Sequence, residues 1–237
     1  YTIRADELAI AAEERGFESI WFPEHTHIPA SRETAYPGGG PLPKEYIHMS
    51  DPFTSAAAAA VVTKTIKIGT GVCLVIEHDP LALAKTVATI DRLSNGRFIL
   101  GVGAGWNAEE MENHGTPYSK RWKVLEERVK AMKALWTQEE ASFKGDWVNF
   151  EKVWSYPKPV QKPHPPVIIG TFGSKWGCQR VADYAEGWIP IDGLMTSLDD
   201  SIADLHARLR ENGRKPEDAP ISMFDIYETS EDDLKRY

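Results

Sequence analysis

Short apolar runs alternate with helical stripes along the whole chain, and this alternation constrains the fold more than any other feature. Glu18-Ser19-Ile20-Trp21-Phe22, Ile66-Lys67-Ile68-Gly69-Thr70, Arg97 to Gly103, Pro166-Val167-Ile168-Ile169-Gly170, Gly187-Trp188-Ile189-Pro190 and Ile221 to Tyr227 each read as a short buried strand. The run from Arg97 to Gly103 is apolar on both faces, as expected of a strand covered by helices on each side. The helices between have readable ends. Ala5, Leu8, Ala9 and Ala12 share one face of an opening helix that Gly16 stops. Asp51-Pro52 and Asp79-Pro80 each set an N-cap before a proline at the first helical position. Leu83, Val87 and Ile90 carry the second of these to Asn95-Gly96, and Trp122, Leu125, Val129, Met132 and Trp136 form a fourth helical stripe that reads as core packing. Ser174 to Ala185 and the stripe Ile202, Leu205, Leu209 complete the set. Short apolar strands joined by helical crossovers predict an α/β protein with a parallel sheet, either open and doubly wound or closed into a barrel.

With 237 residues, 42% of them apolar, the chain suits one domain over 1–237 with a substantial core. As a barrel it offers six strands rather than eight. It opens on a helix and passes into another after Tyr227, so the first and last strands, neighbours in a barrel, are expected to be missing as one contiguous wedge whose two edges need a partner. Residues 141–166 lose the pattern among aromatics and prolines and read as an insertion after the fourth helix, stiffened by Pro157, Pro159, Pro163, Pro165 and Pro166. The net charge of -8 argues against a broad basic face for nucleic acid or anionic membrane. Cys73 and Cys178 lack metal-type spacing, no run approaches the roughly 18 apolar residues of a membrane helix, and the first residues lack the apolar core of a signal peptide. A soluble, cytoplasmic protein acting on a small molecule, with no metal, is the expectation.

In a parallel barrel the chemistry gathers where the strands end. His25 follows the strand ending at Phe22-Pro23-Glu24, placed either to move a proton near neutral pH or simply to bond the loop backbone. Gly69 and Gly71 mark a bulge or a close approach by a ligand or another backbone. Gly101-Val102-Gly103-Ala104-Gly105-Trp106-Asn107 is a poor dinucleotide fingerprint, since no acidic residue closes a nearby strand at the expected interval. Bare backbone under a planar ring explains its glycines better. Gly170-Thr171-Phe172-Gly173-Ser174 runs from a strand into a helix, either a phosphate seat assisted by Lys175 and Arg180 or a plain turn capped by Ser174. His78 beside Glu77 and Asp79 suggests a metal only weakly, because Asp79 is better used as a cap and adjacent residues do not readily converge on one ion. Glu109 and Glu110 read as a solvated helix start, and Tyr36 to Pro43 as a mobile cover that excludes water.

Ser19-Ile20-Trp21-Phe22-Pro23-Glu24-His25, Ile68-Gly69-Thr70-Gly71-Val72, Gly96 to Asn107, Trp154 to Val160 and Pro166 to Gly170 together resemble the bacterial luciferase-like superfamily, and within it actinobacterial F420-dependent oxidoreductases. The resemblance implies a TIM barrel with a deazaflavin or flavin ring at its C-terminal mouth, and commonly a homodimer. It further implies a non-prolyl cis peptide at Gly71-Val72 behind the ring, ring contacts from Cys73, Ala104, Gly105 and Trp106, and a cofactor phosphate on the turn from Gly170 to Ser174 through the amides of Phe172, Gly173 and Ser174. His25 takes the place of the family's second-strand histidine. Two departures matter. Ala104 stands where luciferase itself has an arginine for the flavin phosphate, and Trp106 where the family's F420-dependent sugar-phosphate dehydrogenase has a catalytic glutamate, for which Glu109 or Glu110, a helical turn on, is an alternative to the solvated helix start. The implied activity is hydride transfer between F420 and a small organic substrate, the alternatives being an FMNH2-dependent monooxygenase and a non-catalytic flavin-binding relative.

Overall fold

The computed structural model describes residues 3–191, 195 and 197–224. They form two compact units, residues 1–165 and 166–237. In the first, helix α1 (Ala5–Glu14) leads to strand β1 (Ser19–Phe22), α2 (Pro52–Val62) to β2 (Lys67–Thr70) and α3 (Pro80–Leu93) to β3 (Phe98–Val102). The strands are parallel, β1 pairing with β2 from Ser19–Lys67 to Phe22–Thr70, and β2 with β3 at Ile68–Phe98 and Gly69–Ile99. The expected caps hold these helices: Asp51 Oδ1 accepts Thr54 N–H at 2.6 Å and Asp79 Oδ1 accepts Ala82 N–H at 2.8 Å. Arg97 closes the far end of α2, its guanidinium donating to the carbonyls of Ala60, Thr63 and Ile66.

Helices α4 (Ala108–Asn113) and α5 (Arg121–Thr137) follow. Of the stripe predicted for α5, Leu125, Val129, Met132 and Trp136 are buried and Trp122 is half-buried, the Trp136 indole donating to Ala84 O at 2.9 Å. The stretch that the sequence left without elements contains an antiparallel hairpin, β4 (Ala141–Lys144) with β5 (Asn149–Val153). β5 alternates only between exposed and half-buried positions, too faint a pattern to read. Glu127 of α5 closes its turn, accepting the N–H groups of Asp146, Trp147 and Val148. The connector is then tied back by Asp91, a fully buried carboxylate that accepts Val160 N–H at 2.6 Å and the side-chain amide of Gln161 at 2.7 Å.

The second unit carries β6 (Val167–Gly170), α6 (Lys175–Tyr184), β7 (Gly187–Ile189) and α7 (Leu198–Glu211), with β6 and β7 parallel from Ile168–Gly187 to Gly170–Ile189. Gly187 has no space for a side chain, since a Cβ would lie 2.4 Å from Ile168 Cγ2. The strand expected at 221–227 is present as single parallel bridges, Trp188–Ile221 and Ile191–Phe224. Residues 225–227 of that expectation, and the helix after it, lie outside the described residues. No described helix is long and apolar enough to cross a membrane.

Candidate active site

At the end of β1 the chain turns through Pro23-Glu24-His25-Thr26, and here the first unit gathers its polar chemistry. His25 Nδ1 lies 2.6 Å from Glu110 Oε2, with only 7% of the histidine side chain and 1% of the glutamate exposed. The other carboxylate oxygen accepts Thr26 N–H at 3.1 Å. Glu110 therefore holds both the ring and the backbone beside it. With Nδ1 donating to the carboxylate, Nε2 is the nitrogen left to face a substrate, the arrangement by which an acid partner fixes a histidine tautomer. The sequence suggested a solvated role for Glu110. The structure buries it, because Asn107 caps α4 through Glu110 N–H and turns the first helical turn inward toward the loop after β1.

The adjacent carboxylate does a different job. Glu109 Oε1 accepts the N–H groups of Glu33 at 2.6 Å and Thr34 at 3.0 Å, fastening the long loop after β1. The Thr34 side chain first, then the Glu33 N–H, pull the Glu109 pKa down to about 2. From this fastened loop Tyr36 and Tyr46 pack over the site, their hydroxyls 3.3 Å apart. Tyr46 lies 5.3 Å and Trp106 5.7 Å from the His25 ring, and Tyr36 lies 5.9 Å from Trp106, all between ring centroids. Arg32 adds its guanidinium over the Trp106 ring at 5.7 Å. The sequence singled out His25 and Trp106. It gave no sign of Tyr46, and left Glu110 between a solvated helix start and a replacement for the family's catalytic acid.

Behind this pair stand two further buried carboxylates. Glu24 accepts Leu74 N–H at 2.6 Å and pairs with His78 Nε2 at 2.8 Å, which holds the bulge after β2 against the end of β1. In that bulge the Gly71–Val72 peptide is cis, at the position the family resemblance marked. Cys73, Glu24 and His78 have donor atoms within 4.8 Å of one another. Both oxygens of Glu24 already have protein partners, and burial followed by the Glu24 charge holds the Cys73 thiol pKa well above its ordinary value, so the trio reads as a structural brace. Glu77 is the third carboxylate.

Of the glycines assigned to a bare ring surface, Gly103 has a protein neighbour, since a Cβ there would fall 2.6 Å from Val72 Cγ2. At Gly69, read as a bulge or a close approach, the Trp21 indole lies across the backbone, and a Cβ would fall 2.2 Å from Cε3. Gly105 has a φ of 66°, where glycine is favoured. Cys73 and Ala104 are sealed in the core, while Gly71, Val72, Gly105 and Trp106 are half-buried.

In the second unit, Gly170 ends β6, Thr171 is buried with its carbonyl accepting the Trp188 indole at 2.9 Å, and Phe172 is 47% exposed. Ser174 caps α6 through Gly177 N–H at 3.1 Å. The Gly173 amide donates to the Met195 thioether at 3.2 Å, a weak acceptor. A hollow of about 370 Å³ opens here between the starts of α6 and α7, lined by Gly173, Ser174, Ser197, Asp200 and Asp204. The first turn of α7 has its own acids, Asp199 and Asp200, whereas that of α6 has none. The first turn of α6 thus carries no acid of its own, while Asp200 and Asp204 of α7 face the same hollow.

A model of the luciferase-like monooxygenase family matches residues 4–233. The chain belongs to the luciferase-like monooxygenase family. An uncharacterized protein of Mycobacterium tuberculosis is 48% identical over 75% of the chain, and the chain spans 64% of that relative's length. The FMNH2-dependent dimethylsulfone monooxygenase of Pseudomonas putida is 33% identical over 56% of the chain and 38% of its own. The solved structure of an F420-dependent secondary alcohol dehydrogenase, in complex with an F420-acetone adduct, matches with a TM-score of 0.73 at 25% identity, covering 92% of this chain and 63% of that one. This luciferase-like chain therefore has the α/β fold of the family's TIM barrels and covers part of such a barrel. Members named here use F420 or FMNH2.

In the first unit the residues present fit a planar redox ring. Tyr46 and Trp106 stand 5.3 Å and 5.7 Å from the His25 ring, centroid to centroid. The side-chain amide nitrogen of Asn107 and Oε2 of Glu109, flanking the start of α4 just after Trp106, are buried without a partner among the described residues. None of these features separates deazaflavin from flavin.

Proposed function

We propose that this luciferase-like protein is an oxidoreductase that uses F420 to exchange a hydride with a small organic substrate, with His25 handling the proton. The observation that carries the reading is the buried His25–Glu110 pair, ringed by Tyr46 and Trp106. A cofactor ring bound there would supply the redox chemistry; the protein supplies orientation, a dry surround and a proton. His25 Nε2 is the atom proposed to give or take it, while Glu110 holds the imidazole in one tautomer and steadies its charged form. Tyr36, Tyr46 and Trp106 exclude water. The α6 turn, Phe172-Gly173-Ser174, is proposed to take the cofactor phosphate. Ala104 in place of luciferase's flavin-phosphate arginine favours F420 over tightly held FMN.

The FMNH2-dependent relative supports a second reading, an oxygen-activating monooxygenase. Titrating the purified full-length protein with F420 and with FMN separates them. Quenching of F420 fluorescence and turnover without oxygen are expected. Micromolar FMN binding with no response to F420, or oxygen consumption coupled to turnover, overturns the F420 reading. Cofactor binding without redox exchange across a broad substrate panel would mark a non-catalytic binder.

A further inference from the structure

Three carboxylates, Glu24, Glu77 and Glu110, are buried together behind His25, and they are not equally provided for. Glu110 has an imidazole at 2.6 Å and a backbone N–H, and Glu24 has an imidazole at 2.8 Å and a backbone N–H. Glu77, with 1% of its side chain exposed, has the Thr26 hydroxyl at 3.5 Å and His114 Nε2 at 3.6 Å, the second beyond hydrogen-bond range. That imidazole already lies 2.8 Å from the Thr26 hydroxyl. A buried carboxylate beside two others cannot hold full negative charge without a strong donor or a cation.

We propose that Glu77 is a positioning residue for the proton chemistry at His25: it stands as a neutral carboxylic acid in the working protein, and its ionisation tightens the hold of His25 on its proton. The groups around the 75–77 turn agree with this assignment. Glu24, His25 and His27 come from the loop after β1, and Glu110 and His114 from α4. Cys73, His78 and Asp79 flank Glu77 in the chain. Arg128 reaches over from α5 but donates to the Val75 carbonyl at 3.0 Å rather than to a carboxylate. His114 is a poor source of positive charge, because burial and then His27 lower its pKa. In the same sense burial, followed by the charges of Glu110 and Glu24, pushes the Glu77 carboxyl up to about 8. Glu110 bonds His25 directly at 2.6 Å, so negative charge added on the neighbouring Glu77 would strengthen the field in which that pair holds its proton.

The inference rests on His25 being the proton-handling residue, but its test does not depend on activity. Imidazole-nitrogen NMR of the full-length protein, with the His25 signal identified by its loss in His25→Gln, should show a second titration step near pH 8. Glu77→Gln should abolish that step. Indistinguishable His25 curves in the two proteins would overturn the proposal. Should Glu77→Gln fail to fold, infrared spectra of the wild-type protein serve instead: a protonated-carboxyl band present at about pH 6 and gone by about pH 9.5 is expected. Absence of that band would equally overturn it. Failure to bind F420 or FMN would count against the proposed function and leave the His25 titration untouched.

Discussion

Replacing Glu110 with glutamine keeps the shape of the side chain and removes the charge behind His25. If the pair handles the proton, turnover should fall roughly a hundredfold or more, the scale of general acid–base catalysis, with cofactor affinity nearly intact. His25→Ala should do the same; steady-state kinetics beside a binding titration reads both. Gly69→Ala tests a different residue-scale claim. Its Cβ would sit 2.2 Å from the Trp21 indole, so a loss of about 1–3 kcal/mol is expected, measured as a lowered thermal midpoint. His25 was legible in the sequence because a histidine just past an apolar strand is conspicuous. Glu110 was not. It lies 85 positions away, in a helical turn whose acidic residues look like ordinary N-terminal charge until the fold shows which way they face.

At the scale of elements, α4 is the unit that organises the site. Its first turn supplies two consecutive carboxylates, Glu109 to the long loop and Glu110 to the histidine. Tyr36, expected in a mobile cover, instead packs on Tyr46 and Trp106 within that fastened loop. Glu109→Ala removes the acceptor of two backbone N–H groups, and limited trypsinolysis at Arg32 and Lys44 should accelerate roughly tenfold, a discounted figure for solvent-screened bonds. Unchanged cleavage would show that the aromatic packing alone holds the loop. Helices were readable from their caps and stripes, Asp51, Asp79 and Ser174 all capping as expected. The hairpin of β4 and β5 was not, because its strands are held largely by Glu127 and by pairing with each other rather than by burial of an alternating face.

For the whole molecule, the carboxylates set opposite limbs of a pH profile. Glu13, held down to about 2 by the backbone N–H groups of Ile66 and Thr65, contributes stability above the ordinary value of 4.5 that is lost as pH falls through 2. Glu77 has the opposite sign: its contribution is full below 4.5 and lost as pH rises through about 8. Urea midpoints should therefore decline on both sides of a maximum, and Glu77→Gln should gain on the wild type as pH rises across that range. A wild-type profile flat from 4.5 to 9 would contradict the assignment. The sequence by itself determined the parallel α/β architecture, the helix ends and the strand-end positions of His25 and Trp106, since these follow from local periodicity, capping and glycine placement. Only the tertiary structure decided that Glu110 rather than solvent partners His25, that protein side chains lie over Gly69 and Gly103, and that Glu77 lacks a strong donor. Burial and partnership are set by residues distant in the chain, and no local pattern records them.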